Sequence, residues 1–457
     1  MQTRLLASLA LTALIYGAAE ANADSLQDAL VETYNTNPQL LAERANVRAV
    51  DEGVPQALSG WRPTVQFTGS VGYQNNQTSP AAPPTLPAGD NLQPKTLDLN
   101  VTQPIYQGGR TVALTAAAEQ QVQAERARLL ATEGTVFFGV IQAFFDVVRD
   151  QATVELNVNN EQVLRRQLEA TNDQFRVGSV TRTDVAQAEA RLAAARASRQ
   201  QAEGNLAISR SNYLRFVGRP PDRLVPPTLH PVLPTTRAEA IAMASTKNPN
   251  VIAALFTEDS ARSSVTATRA QLLPSLNLVG DINRGQDTSS QLKQRESTVG
   301  SVVARVTMPL YEGGQIYSQT RQAQEKLAQS LGLTDDARRT AVQAAIQAWE
   351  TIQSAGASAY SLQATIRAAE IALEGVRQEA QVGSRTVLDV LNQEQELFSD
   401  RVQLVQAQHD LGVAEFNLSN QIGTLSAINL GLPVPLYDAG EHYRSVRNKV
   451  VGFGAKD

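Results

Sequence analysis

An internal repeat is the feature that most constrains how this chain folds. The sequence Thr-Gln-Pro-Ile-Tyr-Gln-Gly-Gly at Thr102–Gly109 recurs as Thr-Met-Pro-Leu-Tyr-Glu-Gly-Gly at Thr307–Gly314, 205 residues later. The same shift relates Val177–Ser179 to Val382–Ser384. A repeat of about 200 residues is far longer than the unit of a solenoid. We therefore expect a duplicated module whose two copies pack side by side.

The N-terminus has the pattern of a secretory signal peptide. Arg4 precedes an apolar run from Leu5 to Ala19, and a small-x-small sequence predicts cleavage after Ala23. We expect no later stretch to be apolar over enough residues to cross a bilayer as a helix. The predicted divisions are a signal peptide over 1–23, a first repeat over 24–219, a proline-rich linker over 220–235, a second repeat over 236–426 and an irregular C-terminal tail over 427–457.

Composition and motifs argue against several classes of function. The chain has no cysteine, so neither a disulfide framework nor a lipid-bearing cysteine is expected. Its formal net charge of −5 lacks the basic surplus of nucleic-acid-binding proteins. The only histidines, His230, His409 and His442, are not at metal-ligand spacing, and no phosphate-binding loop or nucleophile motif occurs. We expect no catalytic residues, no metal and no other cofactor.

Long helices dominate the predicted secondary structure. No proline occurs from Arg110 to about Phe175, and the matching stretch of the second copy runs from Gln315 to about Ala380. About 65 residues at 1.5 Å each make a helix of roughly 100 Å, a length typical of coiled coils or helical tubes. Return helices about half as long are predicted after each Val-Gly-Ser turn. Two shorter helices stacked end to end would complete the partner of each long one.

Strand pairs are predicted ahead of the long helices, because apolar and polar residues alternate there with a period of two. Each strand spans about 10 residues, as a tilted transmembrane strand does. An ordinary half-buried sheet of a soluble domain is the alternative, but the signal peptide and the tyrosines near strand ends favour the membrane. The strands begin near Thr64, Leu97, Ser275 and Ser301, and the polar hairpin loops are predicted at about 75–95 and 284–296.

Four strands cannot close a barrel, for which about eight are the minimum. An open sheet edge cannot stand in lipid, so transmembrane strands would require several copies of this chain. Two copies would give eight strands with a filled interior, and three would give twelve around a channel. The polar strand faces favour a wet lumen and hence three copies.

These features resemble the TolC family of outer membrane efflux ducts. The resemblance rests on the paired Pro-x-Tyr-x-Gly-Gly corners and on the motifs at Val177–Val185 and Val382–Leu391. The tail from Tyr437 to Tyr443 is similar to that of alphaproteobacterial members. The resemblance implies an α+β membrane protein, with four transmembrane β-strands and long antiparallel helices per protomer. A trimer would form a twelve-stranded β-barrel continuous with a twelve-helix periplasmic α-barrel.

The resemblance also implies a function, a location and partners. We expect a passive exit duct of a tripartite efflux pump or type I secretion system, set in outer membrane lipid and extending into the periplasm. Its partners would be two further copies, a periplasmic adaptor (membrane fusion protein) and an inner-membrane pump of the RND or ABC type, but no nucleic acid. The alternative from another class is a periplasmic or surface structural coiled-coil protein without channel activity. An unaided porin is disfavoured, because a porin has no use for the long helices.

Three sets of site residues carry over from the family. The gate is a bond from Arg385 to Thr183 and Asp184, and the constriction ring falls on Asp389 and Asn392. The family's best-known member has an aspartate at both ring positions, so the position of Asn392 is neutral in this chain. The residues of the turns that meet the adaptor are Val177, Gly178, Ser179, Val382, Gly383 and Ser384.

Simpler roles are open for the same residues. Asp184 and Asp389 stand at the third position of their helices, where an acid caps free amides and complements the helix dipole. The turn glycines fit left-handed turns, and Arg385 fits a solvated charge. Ala380 replaces a tyrosine that supports the gate in the family's best-known member. Arg385 would therefore carry more of the closed state in this chain.

Overall fold

The computed structural model describes residues 25–77, 89–222, 224–289 and 295–454. The predicted signal peptide and the central parts of both predicted hairpin loops lie outside these residues. The elements of the first repeat are α1 (Leu26–Thr36), α2 (Pro38–Asp51), α3 (Gly53–Leu58), a 3₁₀ turn (Ser59–Trp61), β1 (Thr64–Val71), β2 (Gln74–Gln77), β3 (Gly89–Gln107), α4 (Arg110–Arg176) and α5 (Arg182–Val217).

The second repeat has the same order of elements, with a single strand in place of β1 and β2. Both long helices have 67 residues, and their return helices have 36 and 35. The elements are α6 (Arg237–Lys247), α7 (Pro249–Arg269), a 3₁₀ turn (Ala270–Leu272), β4 (Ser275–Ser289), β5 (Arg295–Thr307), α8 (Gln315–Gln381) and α9 (Val387–Gln421), followed in the tail by α10 (Glu441–Val446).

The strands form one antiparallel sheet in the order β1-β3-β4-β5, and β2 continues β1 along β3. The sheet therefore has the four predicted strand positions, with the first strand interrupted at Gly72 and Tyr73. The strands extend further into both hairpins than predicted, because backbone pairing does not need apolar side chains. Asn75 lies opposite Asn91, and Gln286 lies opposite Glu296.

One face of the sheet is mainly apolar and the other mainly polar. Phe67 lies opposite Leu99 and Leu99 lies opposite Ile282, so one row of apolar side chains crosses three strands. Residues opposite each other in a sheet share a face. The neighbouring row contains Asn283, which donates a hydrogen bond to Asp98 at 3.3 Å. Among the described strands, β1 and β5 have one strand neighbour each, so the outer edge of each carries no pairing strand.

The chain divides into two compact units, each of which draws on both repeats: 1–35, 139–230 and 355–413 form the first, and 36–138, 231–354 and 414–457 form the second. In the second unit, buried alanines of α6 and α8 pack against Leu418 and Ile422 of α9. In the first unit, Leu391 of α9 packs against Leu164 of α4 and Leu192 of α5. Small residues allow these helices to approach closely.

One stretch of α4 is long and apolar enough to cross a membrane, judged by length and composition alone. The expectation that no such stretch follows the signal peptide is therefore wrong. Half of this stretch is buried within the protein, which is the situation of a core helix. Its helix includes the fully buried side chains of Val140, Ile141, Phe144 and Val147.

A matched pair of glycines tests how the two repeats differ in packing. Gly218 and Gly423 end the return helices with φ of +90° and +77°, which costs a residue with a Cβ about 1–2 kcal/mol. A Cβ at Gly423 would also overlap the Lys247 carbonyl, whereas one at Gly218 meets no atom within 4 Å. We expect Gly423→Ala to lower the free energy of unfolding by about 1–3 kcal/mol more than Gly218→Ala does. The larger loss should appear as a larger fall in the midpoint of thermal unfolding. Equal losses in the two variants would contradict this packing.

Candidate functional site

The two turns that link the long and return helices have the same geometry. Gly178 and Gly383 adopt φ of +77° and +81°, a left-handed conformation that glycine enters without strain. The amide of the following serine donates to the carbonyl five residues earlier at 3.0 Å, in Ser179 as in Ser384. Each turn exposes one apolar side chain, Val177 in the first repeat and Val382 in the second, and each is 80% accessible.

Each return helix begins with a reciprocal capping box. Asp184 accepts hydrogen bonds from the hydroxyl and amide of Thr181 at 2.7 and 2.8 Å, and its own amide donates to the Thr181 hydroxyl. Asp389 accepts from the amide and hydroxyl of Thr386, both at 2.9 Å. These bonds lower the pKa of both carboxyl groups. Both are therefore ionised caps at neutral pH, whatever further role they have.

The predicted gate residues have other partners within one chain. The Arg385 Nε donates to Glu379 at 2.8 Å, and this bond raises the pKa of the guanidinium. The Asp184 carboxylate accepts its hydrogen bonds from Thr181, as described above. The structure therefore does not join Arg385 to Thr183 or Asp184 within a single chain. Sequence reasoning missed Glu379 because it belongs to the preceding helix rather than to either motif.

The predicted ring residues lie where the two repeats meet within the first unit. Asp389 and Asn392 are three residues apart on α9 and so share a helix face. The Asn392 side chain accepts a hydrogen bond from Arg191 of α5 at 2.9 Å. Between them, Leu391 is buried, which holds α9 in place. The sequence did not predict Arg191, because Arg191 belongs to no motif and its partner Asn392 lies in the other repeat.

Ion pairs fasten each long helix to its return helix. Arg401 of α9 bonds to Glu370 of α8 at 2.7 Å, and Arg377 of α8 bonds to Glu394 of α9. In the first repeat, the buried carboxylate of Glu161 on α4 pairs with several arginines. They include Arg165 of the same helix at 2.7 Å and Arg196 of α5 at 3.4 Å. Each helical hairpin is thus held as one piece.

His409 ties α9 to α4 across the repeats. Its Nε2 lies 3.0 Å from the carboxylate of Asp146, and its Nδ1 lies 2.9 Å from that of Asp410. A neutral imidazole has only one N–H, so two carboxylate partners require the doubly protonated, charged ring. Burial lowers the pKa of His409, but the bonds to Asp146 and Asp410 outweigh burial and raise it. Arg149, which pairs with Asp146 at 2.9 Å, opposes this rise.

Comparison with known proteins identifies the family. The model of the outer membrane efflux protein family matches residues 29–219 and 240–424. The chain belongs to this family. Outer membrane efflux protein BepC of Brucella suis is 34% identical over 437 residues, which cover 96% of this chain and 93% of that protein. Outer membrane protein TolC of Vibrio cholerae is 28% identical, over 89% of this chain and 94% of that protein.

A solved structure agrees with the fold of this efflux protein. The Campylobacter jejuni CmeC outer membrane channel superposes with a TM-score of 0.78 at 15% sequence identity, covering 94% of this chain and 90% of that one. At this identity the likeness shows the fold alone. The predicted family, α+β fold class, outer-membrane location and exit-duct function are confirmed. The gate, ring and turn residues and the absence of catalysis stay predictions.

The His409 contact makes a pH-dependent fastening of α9 to α4. Because its folded pKa is raised, its contribution is complete below the ordinary value of about 6.5 and is lost as the pH rises through the raised value. We expect amides of α9 around 405–413 to lose hydrogen-exchange protection as the pH rises above about 6.5 and through the raised pKa of His409, after correction for the intrinsic rate. His409→Gln, which does not titrate, should lack this extra loss. The same pH dependence in both proteins would refute the assignment.

Proposed function

We propose that the protein is a passive exit duct of three copies, engaged by a periplasmic adaptor and an inner-membrane pump. This proposal rests on the outer edges of β1 and β5, which have no pairing strand in the part of the chain that the structure describes. In lipid every backbone donor and acceptor needs a partner within the protein, so other copies must supply the missing strands. Three copies give twelve strand positions, enough for a channel. The polar row with Asp98 and Asn283 then faces a wet lumen, and the apolar row with Phe67 faces lipid.

Efflux is favoured over protein secretion as the task of this duct. The relative that is 34% identical is named an efflux protein. The pump would supply the energy, because no catalytic motif occurs in the sequence. The two exposed turns, with Val177 and Val382 at their tips, offer small apolar contacts to the adaptor. Identical geometry in both repeats would let one adaptor motif meet either turn.

We place the gate bond between neighbouring protomers. Within one chain Arg385 pairs with Glu379, and Asp184 pairs with Thr181. Arg385 is half exposed, so it is free to reach a neighbour. Closing the duct would exchange the Glu379 partner for Thr183 and Asp184 of another copy. Opening would return Arg385 to Glu379, which makes Glu379 a competitor of the gate.

The gate is tested by single-channel conductance of the reconstituted protein. Arg385→Ser should raise the resting conductance, and Asp184→Ala should add little to it, because both remove one shared interaction. Glu379→Gln is the matched control, since it removes the partner seen within one chain. It should leave the duct closed or close it further. An increase with Glu379→Gln equal to that with Arg385→Ser would contradict the gate and assign Arg385 to its own hairpin.

The constriction ring is tested by cation block. Three copies bring three Asp389 carboxylates together, so multivalent cations should block current from the periplasmic side, and Asp389→Ala should abolish the block. Thr386→Ala removes the hydroxyl that bonds to Asp389 but keeps the Asp389 carboxylate and the Thr386 amide that donates to it, and should retain the block. Asn392→Asp should strengthen it only weakly, because Arg191 neutralises the added charge, and more strongly when combined with Arg191→Gln. Equal loss of block in Thr386→Ala and Asp389→Ala would leave Asp389 as a cap only.

A further inference from the structure

The C-terminal tail follows the first repeat toward the start of β1. Tyr437 donates a hydrogen bond to the Arg44 carbonyl at 3.4 Å, and the Arg44 guanidinium lies over the Tyr437 ring at 5.2 Å. Further along the tail and along α2, His442 lies 3.3 Å from the buried carboxylate of Asp51. The contacts advance together along the tail and along α2. The tail is therefore held against the first repeat by successive contacts, and we call residues 437–449 the strap.

Two more contacts bring the strap to the base of the sheet. Arg447 pairs with Glu119, near the beginning of α4, at 3.1 Å. The Arg62 guanidinium, two residues before β1, donates to the Lys449 carbonyl at 2.8 Å. Lys449 then donates from Nζ to the Gly454 carbonyl at 2.5 Å. Residues 449–454 thus form a closed loop that is fixed beside the first residues of the strand.

This loop presents apolar side chains to its surroundings. Val450, Val451 and Phe453 are exposed, Val451 at 84% and Phe453 completely. Gly452 between them has φ of +113°, which turns the chain so that the loop closes. The neighbouring Trp61, in the 3₁₀ turn before β1, is also partly exposed. Tryptophan at the end of a transmembrane strand is typical of the membrane interface.

We infer that the loop 449–454 is an interfacial anchor that inserts Val450, Val451 and Phe453 into the periplasmic leaflet of the outer membrane. The lipid-facing row of the sheet begins next to this loop, with Val65 and Phe67 of β1 exposed. Exposed apolar side chains therefore occur both on β1 and on the loop that Arg62 fixes beside its first residues. Lys449 keeps these side chains on a closed loop through its bond to Gly454. The anchor would fix the height of the helices below the membrane.

The inference rests on the strands lying in the outer membrane, and not on the gate. The chain has no cysteine, so single cysteines can carry a nitroxide label without a further background change. Phe453→Cys is compared with Phe67→Cys on the lipid-facing row and with Val177→Cys at an exposed helix turn. The full-length trimer is reconstituted into vesicles of phosphatidylethanolamine and phosphatidylglycerol. Relaxation by oxygen, which enters lipid, is compared with relaxation by a water-soluble nickel chelate.

We expect the label at position 453 to match that at 67, with strong relaxation by oxygen and weak relaxation by nickel. Arg62→Gln, which removes the donor to Lys449, should shift the 453 label toward the behaviour of the 177 label. Behaviour like the 177 label in the parent protein would overturn the anchor, and protection from both reagents would overturn it in favour of a neighbouring protomer. A water-exposed label at 67 would refute the membrane placement of the strands themselves.

Discussion

Backbone hydrogen bonding at the sheet edges is the constraint on which this architecture depends. One chain supplies four strand positions, and within the described residues the outer edges of β1 and β5 have no pairing strand. Lipid offers no donors or acceptors to such edges, which is why we propose that other copies of the chain pair with them. The apolar row through Phe67, Leu99 and Ile282 and the polar row through Asp98 and Asn283 then acquire opposite environments, lipid and water. In the proposed assembly these two features together make a conduit.

The two repeats share their turns and caps but differ in the contacts between helices. Gly178 and Gly383 have nearly the same φ, and each return helix starts with a Thr-Asp capping box. His409, by contrast, corresponds to Gly204 of the first repeat, and Arg191 corresponds to Glu396 of the second. The duplicated parts thus build the scaffold. The parts that have diverged carry charges that join one repeat to the other, and His409 among them would respond to pH.

Local sequence signals predicted the local structure well. The absence of proline after Arg110 predicted a helix of about 65 residues at 1.5 Å rise each, and alternation of apolar and polar residues predicted the strands. Capping at Asp184 and Asp389 also followed from short motifs. Contacts between distant residues did not follow: Glu379 beside Arg385, Arg191 beside Asn392 and the path of the tail along α2. These depend on how the repeats pack, which no periodicity encodes.

The number of chains in the assembly tests the central claim most directly. Native mass spectrometry of the protein released from detergent micelles counts the chains, and hydrogen exchange of β1 and β5 on the same sample reports whether their outer edges are paired. The account predicts three chains, with the amides of both edge strands as protected as those of β3 and β4. A single chain with a folded sheet and freely exchanging edge amides would contradict it.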